Sequence, residues 1–189
     1  MKTFLSVFGC MLLTMAVGHA ALAGDDQDKD KPAESPKEQT VVDYDSKTHG
    51  AVQVTSASEK PGDSFNVLKE GEREFLGPPN LLGGTLELAP GDYVVDVNRT
   101  LRKVKIEAGK KTVLLTGDLA VESERAGTFW IPKQGKETKL ASNPPTVNTH
   151  IALFPGKYSL YLNVGAGVDL KSLGMAEVKA GEKVVVKEK

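Results

Sequence analysis

From Val41 onward, hydrophobic and polar residues alternate in short segments that glycine, proline, asparagine and aspartate separate. A period of two residues is typical of strands with one buried face, whereas an amphipathic helix would repeat every 3.6 residues. We therefore predict an all-β fold. The predicted strands are Ala51–Thr55, Ser64–Leu68, Glu72–Leu76, Thr85–Leu88, Asp92–Asn98, Arg102–Glu107 and Lys111–Thr116, then Asp118–Ser123, Thr128–Ile131, Glu137–Leu140, Thr149–Leu153, Lys157–Val164, Gly174–Lys179 and Glu182–Lys187.

The two sets of strands form an internal repeat, because Gly84–Asn98 aligns with Thr149–Asn163 in both its strands and its turn. A repeat of strands and turns in the same order indicates a duplication. Seven short strands in about 70 residues are typical of a small sandwich. We expect two tandem, seven-stranded antiparallel β-sandwiches at 41–117 and 118–189. The recurring residues are Pro90, Gly91, Tyr93 and Asn98 with Pro155, Gly156, Tyr158 and Asn163, and Phe65 and Val67 with Phe129 and Ile131.

Glycine is expected to form the tight turns between these strands. Gly91 and Gly156 each follow a proline, which predicts type II turns with a positive φ at the glycine. Gly109 and Gly181 are expected to turn the chain before the last strand of each repeat.

The segments Leu86–Val97 and Val104–Val113 resemble the PEGA and carboxypeptidase-regulatory-like class of repeats. These are small prealbumin-like β-sandwiches of bacterial envelope proteins, and the resemblance covers most of residues 41–189 as two copies. It implies an accessory or binding role and supplies no catalytic residue.

Residues 1–23 have the pattern of a secretory signal peptide. Lys2 precedes the uncharged apolar run Phe4–Val17, and Ala21–Ala23 forms a cleavage site. The alternative is a retained membrane anchor, although the run is short for about 30 Å of hydrocarbon. Cys10 lies too early in the run for a lipobox. We therefore expect a periplasmic or secreted protein.

Residues 24–40 contain no large apolar side chain and are expected to form a disordered charged linker. Asp26, Asp28 and Asp30 resemble the start of a calcium loop. However, Lys31 and Lys37 occupy the positions where that loop requires glycine and glutamate, so no metal site is expected.

Removal of residues 1–23 takes away one lysine and no acid, which changes the formal charge from −1 to −2. This balance argues against nucleic acid as a partner, because nucleic-acid binding requires a basic surface. Cleavage after Ala23 also removes Cys10, the only cysteine, so neither disulfides nor thiol chemistry is expected in the mature chain. No further apolar run is long enough to span a membrane.

No residue pattern predicts catalysis. His49 and His150 lie outside any recognisable motif and are expected at the surface, and no nucleophile motif, zinc pattern or phosphate loop occurs. Paired carboxylates could support glycoside hydrolysis. Solvated strand faces explain the available carboxylates instead, so we expect no enzyme and no cofactor. These carboxylates are Glu70, Glu72, Glu74, Glu122 and Glu124.

Two aromatic residues of the second repeat are candidate ligand contacts. If Phe129 faces the core as Phe65 does, then Trp130 replaces Asn66 on the outer face, and Tyr161 likewise replaces Asp96. Exposed aromatic residues are typical of binding surfaces. The alternative is that both side chains pack against the other repeat.

A second hypothesis is an anion-binding patch at one end of the first repeat. The alternative is a solvated strand edge protected by lysines. The residues concerned are Arg99, Arg102, Lys103, Lys105, Lys110 and Lys111.

Taken together, these patterns predict an exported, non-catalytic structural or protein-interaction module of the bacterial cell envelope. Its partner would be an envelope protein or polysaccharide. The alternative is a carbohydrate-binding module that uses Trp130 and Tyr161.

Overall fold

A computed structural model of the protein describes residues 37–57, 63–132, 144–164 and 170–188. Every element of regular secondary structure in these ranges is a β-strand, as the alternating pattern predicted. The expected signal peptide, residues 24–36 of the expected linker and the predicted strand Glu137–Leu140 lie outside the described residues. The strands are β1 (Gln39–Asp43), β2 (Gly50–Thr55), β3 (Ser64–Lys69), β4 (Asn80–Leu81), β5 (Thr85–Leu88), β6 (Gly91–Val97), β7 (Thr100–Ile106), β8 (Lys110–Leu115), β9 (Gly117–Glu122), β10 (Thr128–Trp130), β11 (His150–Leu153), β12 (Gly156–Asn163), β13 (Lys171–Val178) and β14 (Lys183–Lys187).

The first half of the fold consists of two sheets with the strand orders β1-β8-β2-β5 and β4-β3-β6-β7. Alternate residues of β2, β3 and β6 are buried in a shared core, because successive side chains of a strand point to opposite faces. The expectation of purely antiparallel pairing is wrong in one respect, because β2 and β8 pair in parallel. All other pairs in this half are antiparallel. The largest buried core residues include Val52, Val54, Phe65, Val95, Ile106 and Leu114.

The second half repeats this pattern of pairing with the strand orders β11-β9-β14 and β10-β12-β13. β9 pairs in parallel with β14 and antiparallel with β11, as β2 does with β8 and β5. β12 lies between β10 and β13, as β6 lies between β3 and β7. Each half therefore has the same sandwich-like arrangement around its own core. The second core contains Leu119, Val121, Phe129, Leu153, Leu160 and Leu162.

The strand count differs from seven per half, since the described residues contain eight strands in the first half and six in the second. β1 begins at Gln39, so two residues of the expected linker pair with β8 instead. The predicted strand Glu72–Leu76 is irregular, because the chain turns at Gly71 with a φ of 89°. Two prolines, which lack a backbone N–H, follow at Pro78 and Pro79.

The prediction of type II turns at Gly91 and Gly156 is wrong, because neither glycine has a positive φ and both begin strands. Gly156 instead leaves room for a tyrosine, whereas a Cβ on Gly91 would make only ordinary contacts with the equivalent ring. The Tyr93 hydroxyl donates to the Ala89 carbonyl oxygen at 2.9 Å, and the hydroxyl of Tyr158 donates likewise to the carbonyl oxygen four residues earlier. A Cβ on Gly156 would lie only 3.2 Å from the Tyr158 hydroxyl.

Gly109 and Gly181 have φ values of 72° and 73°, as the turn prediction required.

The two halves meet where the β6–β7 hairpin reaches the end of β11. The Phe154 backbone N–H donates to the Thr100 hydroxyl at 3.1 Å, and the Asn98 side-chain amide donates to the Ala152 carbonyl oxygen at 3.0 Å. Ala152 and Phe154 are themselves buried in the core of the first half. The described residues consequently form one compact unit.

Gly117 tests the packing at the start of β9. A Cβ there would lie 2.1 Å from the Lys179 carbonyl oxygen and 2.7 Å from a methyl group of Val178, so the backbone would have to move. We expect Gly117→Ala to lower the free energy of unfolding by about 1–3 kcal/mol. The control is Gly77→Ala, because a Cβ on Gly77 would meet nothing within 4 Å. Urea denaturation compares the two variants, and equal stabilities would contradict the packing argument.

Glu188 makes the stability of the C-terminal strand depend on pH. Its carboxylate, which is 11% exposed, accepts hydrogen bonds from the Ser123 hydroxyl at 2.6 Å and from Arg125. These interactions lower the pKa of Glu188 to about 2. Because the folded pKa is depressed, the stabilisation is present above the usual pKa of 4.5 and is lost as the pH falls toward 2.

We therefore expect Glu188→Gln to unfold at a lower urea concentration than the wild type at pH 7. The difference should shrink as the pH falls through this range. Trp130 is the only tryptophan, so its fluorescence follows unfolding directly. Glu124→Gln, at an exposed position, is the control. The prediction fails if Glu188→Gln keeps the pH dependence of the wild type.

Candidate functional site

Trp130 and Tyr161 are direct partners across two neighbouring strands. The antiparallel register of β10 and β12 places Trp130 opposite Tyr161. Opposite residues in such a pair have Cβ atoms about 4.5–5.5 Å apart. In the first half, the equivalent register places Asn66 opposite Asp96. One polar cross-strand pair of the first half is thus an aromatic pair in the second.

The aromatic pair lies on the face of its sheet that points away from the core. Phe129 and Leu162, which are also paired, are buried in the second core. Trp130 follows Phe129 and Tyr161 precedes Leu162, so both aromatic side chains lie on the opposite face of the sheet. Both are half-buried there. The structure therefore places both residues between the two expected situations, neither fully exposed nor fully packed.

A β-bulge interrupts the ladder beside Tyr161. The partners of Leu160 and Tyr161 on β13 are Gly174 and Ser172, so one residue of β13 is left unpaired between them. Gly174 has a φ of 90°, a conformation that glycine adopts without strain. The equivalent β6–β7 ladder has no such interruption. The bulge thus distinguishes the strand pair that carries Tyr161 from its counterpart.

Trp130 forms part of the wall of a cleft of about 460 Å³ at the junction of the two halves. The first half contributes Asp63, Asn98 and Arg99, and the residues of the second half include Pro145 and His150 besides the tryptophan. His150, which was expected at the surface, is half-buried there.

Two nitrogen atoms in this wall are buried without a hydrogen-bond partner among the described residues: Trp130 Nε1 and His150 Nδ1. Buried polar atoms are nearly always paired in proteins, and leaving one unpaired costs about 1–3 kcal/mol. Two of the three such atoms among the described residues lie at this cleft, and the third, Arg102 Nε, belongs to a residue of a neighbouring cleft. The indole N–H of Trp130 can only donate, whereas His150 Nδ1 donates or accepts according to the tautomer of the ring.

Arg99 projects from a strained hairpin between this cleft and a second one. Asn98 and Arg99 connect β6 and β7 with φ values of 45° and 70°. Such a turn favours Asn-Gly, and an arginine there costs roughly 1 kcal/mol. Arg99 is exposed and also borders the second cleft, of about 400 Å³, which contains Arg102 and Phe154. Backbone strain of this kind is typical of functional positions.

The expectation that the six basic residues cluster at one end of the first half is wrong. Arg99 precedes β7 and Lys110 follows it, so they lie at opposite ends of a strand about 20 Å long. Arg102 pairs with Glu38 and lies 5.7 Å from the centre of the Phe154 ring. Lys111 lies on β8 between its partners on β1 and β2. The remaining ion pairs are Lys103–Glu70, Lys105–Glu107 at 3.6 Å and Lys110–Asp43 at 2.5 Å.

Hydrogen bonds and charge attraction raise the pKa of Lys103 and of Lys110, and they lower the pKa of Asp43. These pairs are exposed and contribute little to stability. They nevertheless neutralise much of the charge of the expected anion-binding patch. Arg99 is the residue of that patch that lines the cleft beside Trp130.

Within the described residues, no group of three or more histidine, cysteine, aspartate or glutamate side chains could hold a metal ion. The same residues include no helix that is long and apolar enough to cross a membrane.

The fold and the cleft thus define an all-β protein with two sandwich-like halves. No family model matches the chain, and no curated protein matches it. Among solved structures, the Bacillus anthracis TIE protein is similar over 75% of this chain, with 16% identity and a TM-score of 0.29. This chain spans 33% of that protein's length. A likeness at this TM-score carries no argument about either fold or function.

Substitution of Arg99 tests whether the strain in the hairpin lowers the stability of the fold. We expect Arg99→Gly to raise the free energy of unfolding by roughly 1 kcal/mol, because glycine adopts a positive φ without steric cost. Urea denaturation measures the change. Arg99→Lys keeps the charge and the strain and should leave the stability unchanged. A loss of stability in the glycine variant would show that the arginine side chain stabilises the fold.

Proposed function

We propose that this chain is an exported, non-catalytic interaction module of the bacterial envelope, and that the cleft beside Trp130 is its contact site. The leader pattern of residues 1–23 supports export. The resemblance to envelope β-sandwich repeats supports an accessory role. The observation that carries the proposal is the pair of unpartnered nitrogen atoms of Trp130 and His150 in the wall of one cleft.

The side chains of this cleft suit a partner rich in hydrogen-bond acceptors. The indole N–H of Trp130 is a donor, and Arg99 adds a guanidinium group with five N–H donors. Tryptophan and arginine are also the residue types that most often dominate binding energy at interfaces. Carbonyl, carboxylate or hydroxyl oxygens of an envelope component would pair with these groups.

A carbohydrate partner is the second candidate, and the Trp130–Tyr161 pair favours it. Two neighbouring aromatic side chains provide apolar surface together with polar edges, which suits a sugar ring. A protein partner needs Trp130 and Arg99 at the cleft but has less need of Tyr161, which lies outside the cleft wall. The contribution of Tyr161 therefore separates the two candidates.

The test measures binding of the purified exported protein to cell-wall polysaccharide and to solubilised envelope proteins in separate titrations. We expect Trp130→Ala to weaken binding by about 2 kcal/mol, or roughly thirtyfold. Asn66→Ala is the matched control, because Asn66 occupies the equivalent register position in the first half.

A carbohydrate partner predicts that Tyr161→Ala weakens binding to the polysaccharide and that free oligosaccharide competes. A protein partner predicts binding to the protein fraction that protease treatment of that fraction abolishes. If Trp130→Ala and Asn66→Ala bind either fraction as the wild type does, the cleft is not the contact site.

A further inference from the structure

Among the edge strands of the four described sheets, β1 and β14 resemble each other in length and in exposed residues. β1 ends the sheet β1-β8-β2-β5, and β14 ends the sheet β11-β9-β14, so no described strand pairs with their outer sides. Each strand has five residues and a central exposed valine, Val41 at 55% and Val185 at 42%. An unpaired edge presents backbone N–H and C=O groups that can pair with another strand.

The internal repeat shows what kind of strand fits beside β14. β14 occupies in the second half the place that β8 occupies in the first. The residues that follow them are equivalent, because the N–H of Thr116 donates to Thr55 and the N–H of Glu188 donates to Glu122. β8 has an antiparallel neighbour, β1, on its outer side. The same side of β14 therefore has the geometry to accept an antiparallel strand.

The hydrogen-bonding pattern identifies which backbone groups point outward. The N–H of Leu115 donates to the Glu38 carbonyl oxygen, so alternate residues of β8 point toward β1. By equivalence, the outward residues of β14 are Lys183, Val185 and Lys187. In β1, the residues that do not bond β8 are Gln39, Val41 and Asp43. Both edges thus present three alternate residues centred on a valine.

We propose that β1 of one copy pairs antiparallel with β14 of a second copy, with Val41 opposite Val185. This register places Asp43 opposite Lys183, which are oppositely charged, and Gln39 opposite Lys187. It buries two exposed valines against each other, and it adds a row of backbone hydrogen bonds without breaking any existing pair.

The end of this register brings two carboxylates near each other, Glu38 of one copy and Glu188 of the other. Each already has a cation as partner, since Glu38 pairs with Arg102 and Glu188 with Arg125. Their repulsion is consequently reduced. The opposing explanation is that Lys183 and Lys187 keep this edge monomeric by charge, as lysines on edge strands often do.

Pairing of this kind joins two different surfaces, so it propagates from copy to copy. Each chain offers one β1 edge and one β14 edge, and such head-to-tail contacts build open filaments or closed rings. An assembly would present many Trp130 clefts to one envelope partner and raise the overall avidity. The pairing nevertheless does not depend on the cleft or its ligand, and its failure would leave the proposed function intact.

The test uses two variants that each block one edge. Val41→Pro and Val185→Pro remove one outward N–H, and proline is tolerated on the open side of an edge strand. Sedimentation should show that the wild type grows in mass with concentration, while each variant alone keeps the mass of one chain. An equimolar mixture of the two variants should form dimers only, because each supplies the edge that the other lacks.

Val41→Thr and Val185→Thr keep the backbone N–H and serve as controls that should assemble like the wild type. Circular dichroism checks that every variant is folded. The proposal is wrong if the wild type keeps the mass of one chain at all concentrations tested. It is also wrong if the proline variants assemble as the wild type does.

A disulfide tests the register and stays informative if a proline variant fails to fold. Hydrogen-bonded antiparallel partners have Cα atoms about 5.5 Å apart, within reach of a disulfide. In a Cys10→Ser background, chains with Val41→Cys mixed with chains with Val185→Cys should form the mixed dimer on mild oxidation. Replacing Val41→Cys by Thr40→Cys should abolish it, because the side chain at position 40 lies on the opposite face of β1. Equal yields of all dimers would overturn the register.

Discussion

The hydrogen bond between the Phe154 N–H and the Thr100 hydroxyl, together with burial of the Phe154 ring, fixes where the two halves meet. Phe154 belongs by sequence to the second half, yet its ring is part of the core of the first. Because the hairpin at Asn98 also bonds the neighbouring Ala152, the end of β11 cannot move without disturbing the first core. The cleft between Arg99 and Trp130 exists because this junction holds both of its walls in place.

The two halves share one pattern of pairing but differ where the candidate surfaces lie. Asn66 and Asp96 form a polar cross-strand pair in the first half, where the second half has Trp130 and Tyr161. Among the described strands, the bulge in β13 lies beside the aromatic pair and has no counterpart in the β6–β7 ladder. β8, the last strand of the first half, has β1 on its outer side, whereas no described strand pairs with the outer side of β14. A repeat keeps its core residues because packing requires them, while its outer positions can change. The two halves therefore differ at outward-facing positions, where core packing does not fix the residue.

Much of this fold was predictable from local patterns, because alternation decides which side chains are buried. The strands around Tyr93 and Tyr158 lie close to their predicted bounds, and the outward positions of Trp130 and Tyr161 follow from Phe129 facing the core. What alternation does not contain is register. It did not show that Trp130 and Tyr161 are partners, since cross-strand pairing depends on contacts between distant segments.

The failures of prediction have the same origin. Lys103 to Lys111 are close in sequence, but a strand carries them away from Arg99, so proximity along the chain did not mean a cluster. His150 gave no signal, because the cleft that it lines is formed by segments that are distant in the sequence. Asn98 and Arg99 did offer one, since two polar residues between apolar runs favour a tight hairpin, but the prediction placed Asn98 in the preceding strand and the loop at 99–101. The strained turn and both buried unpaired ring nitrogens lie at the same cleft. Local costs that the rest of the structure must offset are concentrated at functional sites in proteins, and here they coincide with the surface that we propose for binding.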